Sequence, residues 1–237
     1  MSKNSSVVWI TGASSGIGRA TAIEFAKIGA NVFASARRAS ELERLQDELE
    51  KEMLNIEVLP CNVASNTNVD QVYKKISSIS QVDCLVNVAG ITSFKLAADN
   101  SANEIIEIIN TNLLGSIFTI KSVLPDMITN KNGTIINLLS VITKKTFTHS
   151  SAYSASKWGL LGYSNSLREE VRGHNIRVIN IIPGATETPI WSKEIRSEHS
   201  HRMMTTEEIA RIIVSAYLQK GNLVTEEIVL RPIQGDL

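Results

Sequence analysis

Short, almost purely apolar runs recur along the chain at residues 7–10, 31–36, 56–59, 84–86, 134–139, 177–182 and 227–230. Between them lie longer segments whose apolar positions repeat at helical spacing, near 16–29, 39–53, 66–80, 101–129, 151–172 and 205–219. Most of the short runs are continuous rather than alternating, so both faces of each strand must be covered. Doubly buried strands alternating with helices predict an α/β fold, a doubly wound parallel sheet with helices on both faces. A length of 237 residues does not by itself choose between one domain and two. No Pro/Gly/Ser-rich linker, internal repeat or low-complexity stretch divides the chain, so residues 1–237 are expected to form a single domain.

Composition removes several alternatives. The 24 basic and 24 acidic residues balance, so there is no positive excess of the kind that binds nucleic acid. The two cysteines, Cys61 and Cys84, lack metal-ligand spacing and are too few for a disulfide framework; no metal site is expected. No apolar stretch is long enough to span a membrane, and the apolar run at the start is too short for a signal-peptide core. A cytoplasmic protein with no membrane partner is expected.

The first strand leads into Thr11-Gly12-Ala13-Ser14-Ser15-Gly16-Ile17-Gly18, after which a helix begins. Glycines at a strand-to-helix turn let the backbone approach a pyrophosphate, and the helix N-terminus offers N–H groups and partial positive charge. The spacing differs from the G-x-G-x-x-G fingerprint, and the same glycines could serve only close packing. An NAD site wants an acid at the end of the second strand to hold the ribose 2′-hydroxyl. Here Arg37 and Arg38 follow Ala36, and guanidinium groups suit a 2′-phosphate, so NADP (NADPH) is favoured over NAD.

Two features further on belong together. The fifth strand ends at Ser140, and the helix near 151–172 opens with Tyr153 and Lys157, four residues apart and therefore on one face. A neighbouring ammonium favours the phenolate and is expected to lower the tyrosine pKa towards the range of proton exchange. Ser140, at the carboxyl end of a strand, could donate to a substrate oxygen.

In order and separation, the segments 11–18 (TGASSGIG), 87–90 (NVAG), 110–115 (NTNLLG), Ser140, 153–157 (YSASK) and 183–188 (PGATET) resemble the short-chain dehydrogenase/reductase family of the compact single-domain type. The resemblance implies a seven-stranded Rossmann-type sheet and hydride transfer between NADP(H) and a carbonyl or secondary alcohol. It implies Tyr153 as general acid/base, Ser140 as holder of the substrate oxygen, Lys157 on the nicotinamide ribose and Asn112 in a proton relay. It further implies cofactor contacts from Gly12, Ser14, Ser15, Gly16, Ile17, Gly18, Arg37 and Arg38. The adenine side falls to Asn62 and Val63, where Asn62 replaces the family's usual Asp. Asn87, Ala89 and Gly90 fall beside the cofactor, as do Pro183, Gly184, Thr186 and Thr188. Val88 stands where the family has a second asparagine, with an expected effect on local stability.

Substrate choice is expected to lie in the loop after Gly184, where Trp191, Met203 and Met204 could line an apolar pocket or anchor a lid, and in the segments 141–150 and 91–98. His149 is either a contact or an exposed loop residue. The segment 101–129 is apolar around most of its circumference, and Ala152, Ala155, Gly159, Gly162 and Ser166 share a helix face. Either a homodimer or homotetramer or packing within the chain would account for both. The rival to an enzyme is a non-catalytic dinucleotide-binding redox-sensing regulator, which would be expected to lack the tyrosine or the lysine.

Overall fold

Each apolar run becomes a strand whose ends lie within one residue of the expected positions in the computed structural model, which describes residues 5–237. The strands are β1 Val7–Thr11, β2 Asn31–Ala36, β3 Ile56–Pro60, β4 Cys84–Asn87, β5 Gly133–Leu138, β6 Ile176–Pro183 and β7 Glu227–Leu230. Among the described residues they form one seven-stranded parallel sheet in the order β3-β2-β1-β4-β5-β6-β7. The helices are α1 Gly16–Lys27, α2 Ala39–Lys51, α3 Asn66–Ser77, α4 Ala102–Ile109, α5 Gly115–Asn130, α6 Ser151–Val171, α7 Lys193–His199 and α8 Thr206–Leu218. Chain order reverses between β1 and β4, and this switch point opens a crevice above the carboxyl ends of the strands.

Alternate residues of each strand face opposite sides, so the sheet carries two cores. Val8, Ile10, Ala34, Ile179 and Ile181 pack with α1, α2 and α8. Val7, Trp9, Leu85, Ile135 and Val178 pack on the other side with α3, α5 and α6. Trp9 is fully buried, and its indole N–H donates to Ser35 Oγ at 2.9 Å, so its one polar atom is satisfied.

The expected helix over 101–129 is two helices joined by a π-turn at Asn110–Leu114. A capping box starts α4, with Ser101 and Glu104 each satisfying the other's backbone N–H. The wide turn then buries Asn112 completely. Packing within the chain accounts for α5, whereas on α4 it leaves Ile105 and Ile106 38% and 55% exposed.

A buried polar row crosses the middle of the sheet. Asn87, Asn137 and Asn180 are in register on β4, β5 and β6. Asn87 Nδ2 donates to Asn137 Oδ1 at 3.0 Å, Asn137 Nδ2 to Ser164 Oγ at 2.9 Å, and Thr119 Oγ1 to Asn87 Oδ1 at 2.7 Å. The row ties α5 and α6 to the sheet. Asn137→Ala leaves the Asn87 amide and the Ser164 hydroxyl short of partners, so it should cost ~1–3 kcal/mol in urea unfolding. Wild-type stability in that variant would contradict the account.

Candidate active site

The carboxyl ends of the parallel strands deliver the predicted residues to one edge. β1 runs into a turn in which Gly12 has φ +72° and Gly16 φ +56°, both in the left-handed region. A Cβ on Gly12 would stand 2.7 Å from the Ala89 backbone, and one on Gly18 would stand 2.3 Å from the Gly12 carbonyl oxygen. The turn is therefore folded tightly against both α1 and the loop after β4. Thr11 Oγ1 accepts the N–H groups of Val88 and Ala89 at 3.2 and 3.3 Å and fixes that loop. Ser15, the N-cap of α1, makes no side-chain cap bond. The positive end of the helix thus faces the crevice without an internal carboxylate or hydroxyl cap.

A cavity of about 500 Å3 lies over this turn. Gly12, Ser14, Ser15, Gly16, Ile17, Arg37, Arg38, Asn62, Val63, Ala89, Gly90 and Thr188 all line it. Arg38 donates to Ser14 Oγ at 3.0 Å and to Ser15 Oγ at 2.8 Å, whereas Arg37 turns outward to Glu107 at 3.3 Å. Asn62 Oδ1 accepts the Ala64 N–H at 3.2 Å and holds the bend after β3. Gly18 lies beneath the turn. Asn87 lines no part of the cavity; its side chain is spent in the buried row. Val88 keeps the place of the missing asparagine as a half-buried wall residue.

A second cavity of about 330 Å3 adjoins the first, and Ile17, Leu138, Thr188 and Ile190 line both. Ser140, Tyr153, Pro183, Gly184 and Thr186 border it. Its other walls are largely apolar: Phe94 stacks on Trp191 with centroids 4.9 Å apart, and Ile142, Phe147 and Leu237 complete the enclosure. The segments 91–98 and 141–150 border it as expected. Met203 and Met204 do not, since Met203 is buried and Met204 packs on the core near α8. His149 is an exposed loop residue in contact with Thr148. The tail residues Asp236 and Leu237 had no sequence signal, because their position depends on where the chain turns after β7.

Tyr153 and Lys157 share a face of α6, as their spacing predicts. Lys157 is buried; its Nζ donates to the Leu138 carbonyl at 2.7 Å and lies 5.8 Å from the Tyr153 ring centre. Burial holds Lys157 down at about 8 and pushes the Tyr153 phenol up to about 12, with a hydrogen bond from Ser140 pulling the phenol the other way. The expected lowering of Tyr153 by Lys157 is therefore not what this geometry produces: desolvation dominates, and the ammonium is directed at a backbone carbonyl.

Asn112 secures the frame. Its Oδ1 accepts the Ile91 N–H at 2.8 Å, and its Nδ2 donates to the Ile91 carbonyl at 2.8 Å and to Ser156 Oγ at 3.0 Å. Ser156 in turn donates to the Tyr153 carbonyl at 2.7 Å. The loop after β4, the π-turn and the first turn of α6 are thereby held at fixed separation.

Comparison with known proteins identifies the family. Residues 6–199 match the short chain dehydrogenase family, and the chain belongs to it. The chain is 35% identical to a sepiapterin reductase of Chlorobaculum tepidum, with 98% of each chain covered. It is 28% identical to an NADP-dependent 3-hydroxy acid dehydrogenase of Schizosaccharomyces pombe, covering 95% of this chain and 92% of that one. Among solved structures, a metagenomic short-chain oxidoreductase in complex with NADP is similar at TM-score 0.85, with 28% identity and 96% of each chain covered.

Proposed function

We propose that one domain carries both sites of an NADP(H)-dependent oxidoreductase acting on a small carbonyl compound or the matching secondary alcohol. The observation that carries this reading is the position of Tyr153 and Ser140 on the wall of a mostly apolar cavity that adjoins the glycine-turn cavity. The cofactor fits the residues present: Gly12 and Gly18 allow the turn to fold tightly beneath the crevice, and the uncapped start of α1 suits a pyrophosphate. Arg37 and Arg38 on the rim suit a 2′-phosphate, and relatives named for NADP support the choice over NAD.

When bound, NADPH supplies the hydride. Ser140 and Tyr153 hold the carbonyl oxygen by hydrogen bonds and aim it at that side of the crevice. With its pKa near 12, Tyr153 is a phenol at neutral pH and so starts as the acid form that reduction requires. As the oxygen gains alkoxide character its basicity exceeds that of the phenolate, and the proton moves from Tyr153 to it. Charged Lys157 and the Ser140 hydroxyl stabilise the tyrosinate left behind, and solvent entering the crevice as product leaves returns the proton, while Asn112 holds the frame. In oxidation the same groups act in reverse. Tyr153 and Ser140 on the cavity wall, with Lys157 buried one helical turn from Tyr153, speak against a regulator without turnover.

The exposed Ile105, Ile106 and Trp158, beside Gly162 with open space around it, support assembly of α4 and α6 with a second copy into a homodimer or homotetramer. The buried free thiols of Cys61 and Cys84 suit the cytoplasm, and no helix among the described residues is long and apolar enough to cross a membrane.

Tyr153→Phe removes the transferable proton and should lower carbonyl reduction by at least ~100-fold while NADPH still binds, measured by fluorescence titration. Loss of NADPH binding in that variant would sink the assigned role. Arg37→Ala and Arg38→Ala should each raise the Kd for NADPH by ~10-fold with far less effect on NADH. Equal losses for both dinucleotides would reject contact with the 2′-phosphate. Lys157 is charged below its pKa of about 8, so kcat/KM for reduction should fall as pH climbs through that value, by roughly tenfold per pH unit. A profile that stays level to about pH 10 would contradict a role for its charge.

A further inference from the structure

The tail after β7 is held in a way that the reaction itself does not need. It runs over the turn after β6, where the Gly184 N–H donates to the Leu230 carbonyl at 2.8 Å. It then folds back at Gly235, whose φ is +85° and whose N–H donates to the Pro232 carbonyl at 2.9 Å. This turn returns Asp236 and Leu237 to the wall of the substrate cavity. The Asp236 side chain is only 8% exposed, and one oxygen, Oδ2, takes two cations: Arg231 at 2.8 Å and Lys145 at 3.2 Å. Arg202 donates to the Asp236 carbonyl at 3.4 Å.

Those three cations come from the segments that enclose the cavity. Lys145 lies in the loop after β5 that supplies Ile142 and Phe147, and Arg202 closes the loop after β6 that supplies Ile190 and Trp191. Arg231 belongs to the tail. Asp236 stands where all three walls meet.

We propose that Asp236 is a specificity-determining residue: its carboxylate clasps the loop after β5 to the tail, its backbone carbonyl receives Arg202 from the loop after β6, and the tail so held narrows the outer end of the cavity and restricts the enzyme to compact carbonyl substrates with an aryl or alicyclic body. This rests on the carbonyl-reductase reading above. Size selection follows from the volume, since about 330 Å3 is near the lower end for ligand sites. Chemical selection follows from Phe94, Phe147 and Trp191, which offer apolar aromatic faces.

The clasp is also built to yield. Lys145 and Arg231 are 55% and 40% exposed, and such pairs are individually weak and screened by salt. Asp236 Oδ1 is buried without a hydrogen-bond partner among the described residues, a penalty that opening relieves.

The test compares trifluoroacetophenone with its para-phenyl derivative in the wild type, in Asp236→Asn and in a variant lacking residues 236–237, with NADPH saturating. Wild type should favour the compact ketone by ~50-fold in kcat/KM, and both variants should narrow this to ~5-fold by lowering KM for the larger ketone. Sodium chloride at ~0.5 M should narrow the wild-type ratio in the same direction and leave Asp236→Asn unmoved. An unchanged ratio, or a loss shared equally by both ketones, overturns the proposal and assigns Asp236 to stability alone.

Hydrogen exchange supplies a readout that does not require turnover. In Asp236→Asn, the amides of residues 141–150 and 231–237 should exchange faster together, and unchanged exchange overturns the clasp. If the wild type reduces neither ketone but exchange rises as expected, the clasp stands and the carbonyl-reductase reading fails.

Discussion

Burial of both faces of a parallel sheet is the constraint from which the rest follows. Trp9, Leu85 and Ile135 face one core and Ile10, Val86 and Ile136 face the other, so neither surface of the central strands is open for chemistry. Only the strand ends remain. Because every strand runs the same way, their carboxyl ends gather the glycine turn, Arg37, the 88–90 loop, Ser140 and the turn at Gly184 on one edge. The reversal between β1 and β4 parts the loops there and makes room for a ligand. The buried asparagine row from β4 to β5 holds α5 and α6 against this edge, and thereby the face of α6 that carries Tyr153 and Lys157.

The electrostatics of that pair differ from what adjacency alone suggests. In water a lysine beside a tyrosine would favour the phenolate. Here the low-dielectric surroundings act on both groups and disfavour the charged form of each, so the tyrosine rises and the lysine falls. The result is a phenol that keeps its proton at neutral pH, the form the proposed reduction requires, with an ammonium nearby to stabilise the phenolate that the proposed step would leave.

Much of this was legible in the chain. Continuously apolar runs marked the strands because doubly buried strands have no polar face to show. Spacing placed Tyr153 beside Lys157, and glycines at the β1–α1 junction marked a turn in which side chains would collide. Other features depended on contacts distant in sequence. The π-turn at Asn112 exists because Ile91 and Ser156 close on its side chain, and periodicity sees neither. Asn87 follows the family pattern as though beside the cofactor, yet cross-strand register directs it into the row with Asn137. Met203 and Met204 could have lined a pocket or anchored a lid; Met203 is buried away from the cavity and Met204 packs on the core near α8. Asp236 gave no signal because its role is defined by Lys145, Arg202 and Arg231, each from a different segment.

The central claim is that Tyr153, Ser140 and Lys157 serve a hydride transfer between two adjoining cavities. The most direct measurement is the fate of the label when NADPH bearing deuterium on both faces of C4 reduces a ketone in ordinary water. The account predicts deuterium on the carbinol carbon of the product, with no label in the solvent and none incorporated when Tyr153 is replaced by phenylalanine. Alcohol bearing only solvent hydrogen at that carbon, with both deuterium atoms still on the dinucleotide, would contradict it.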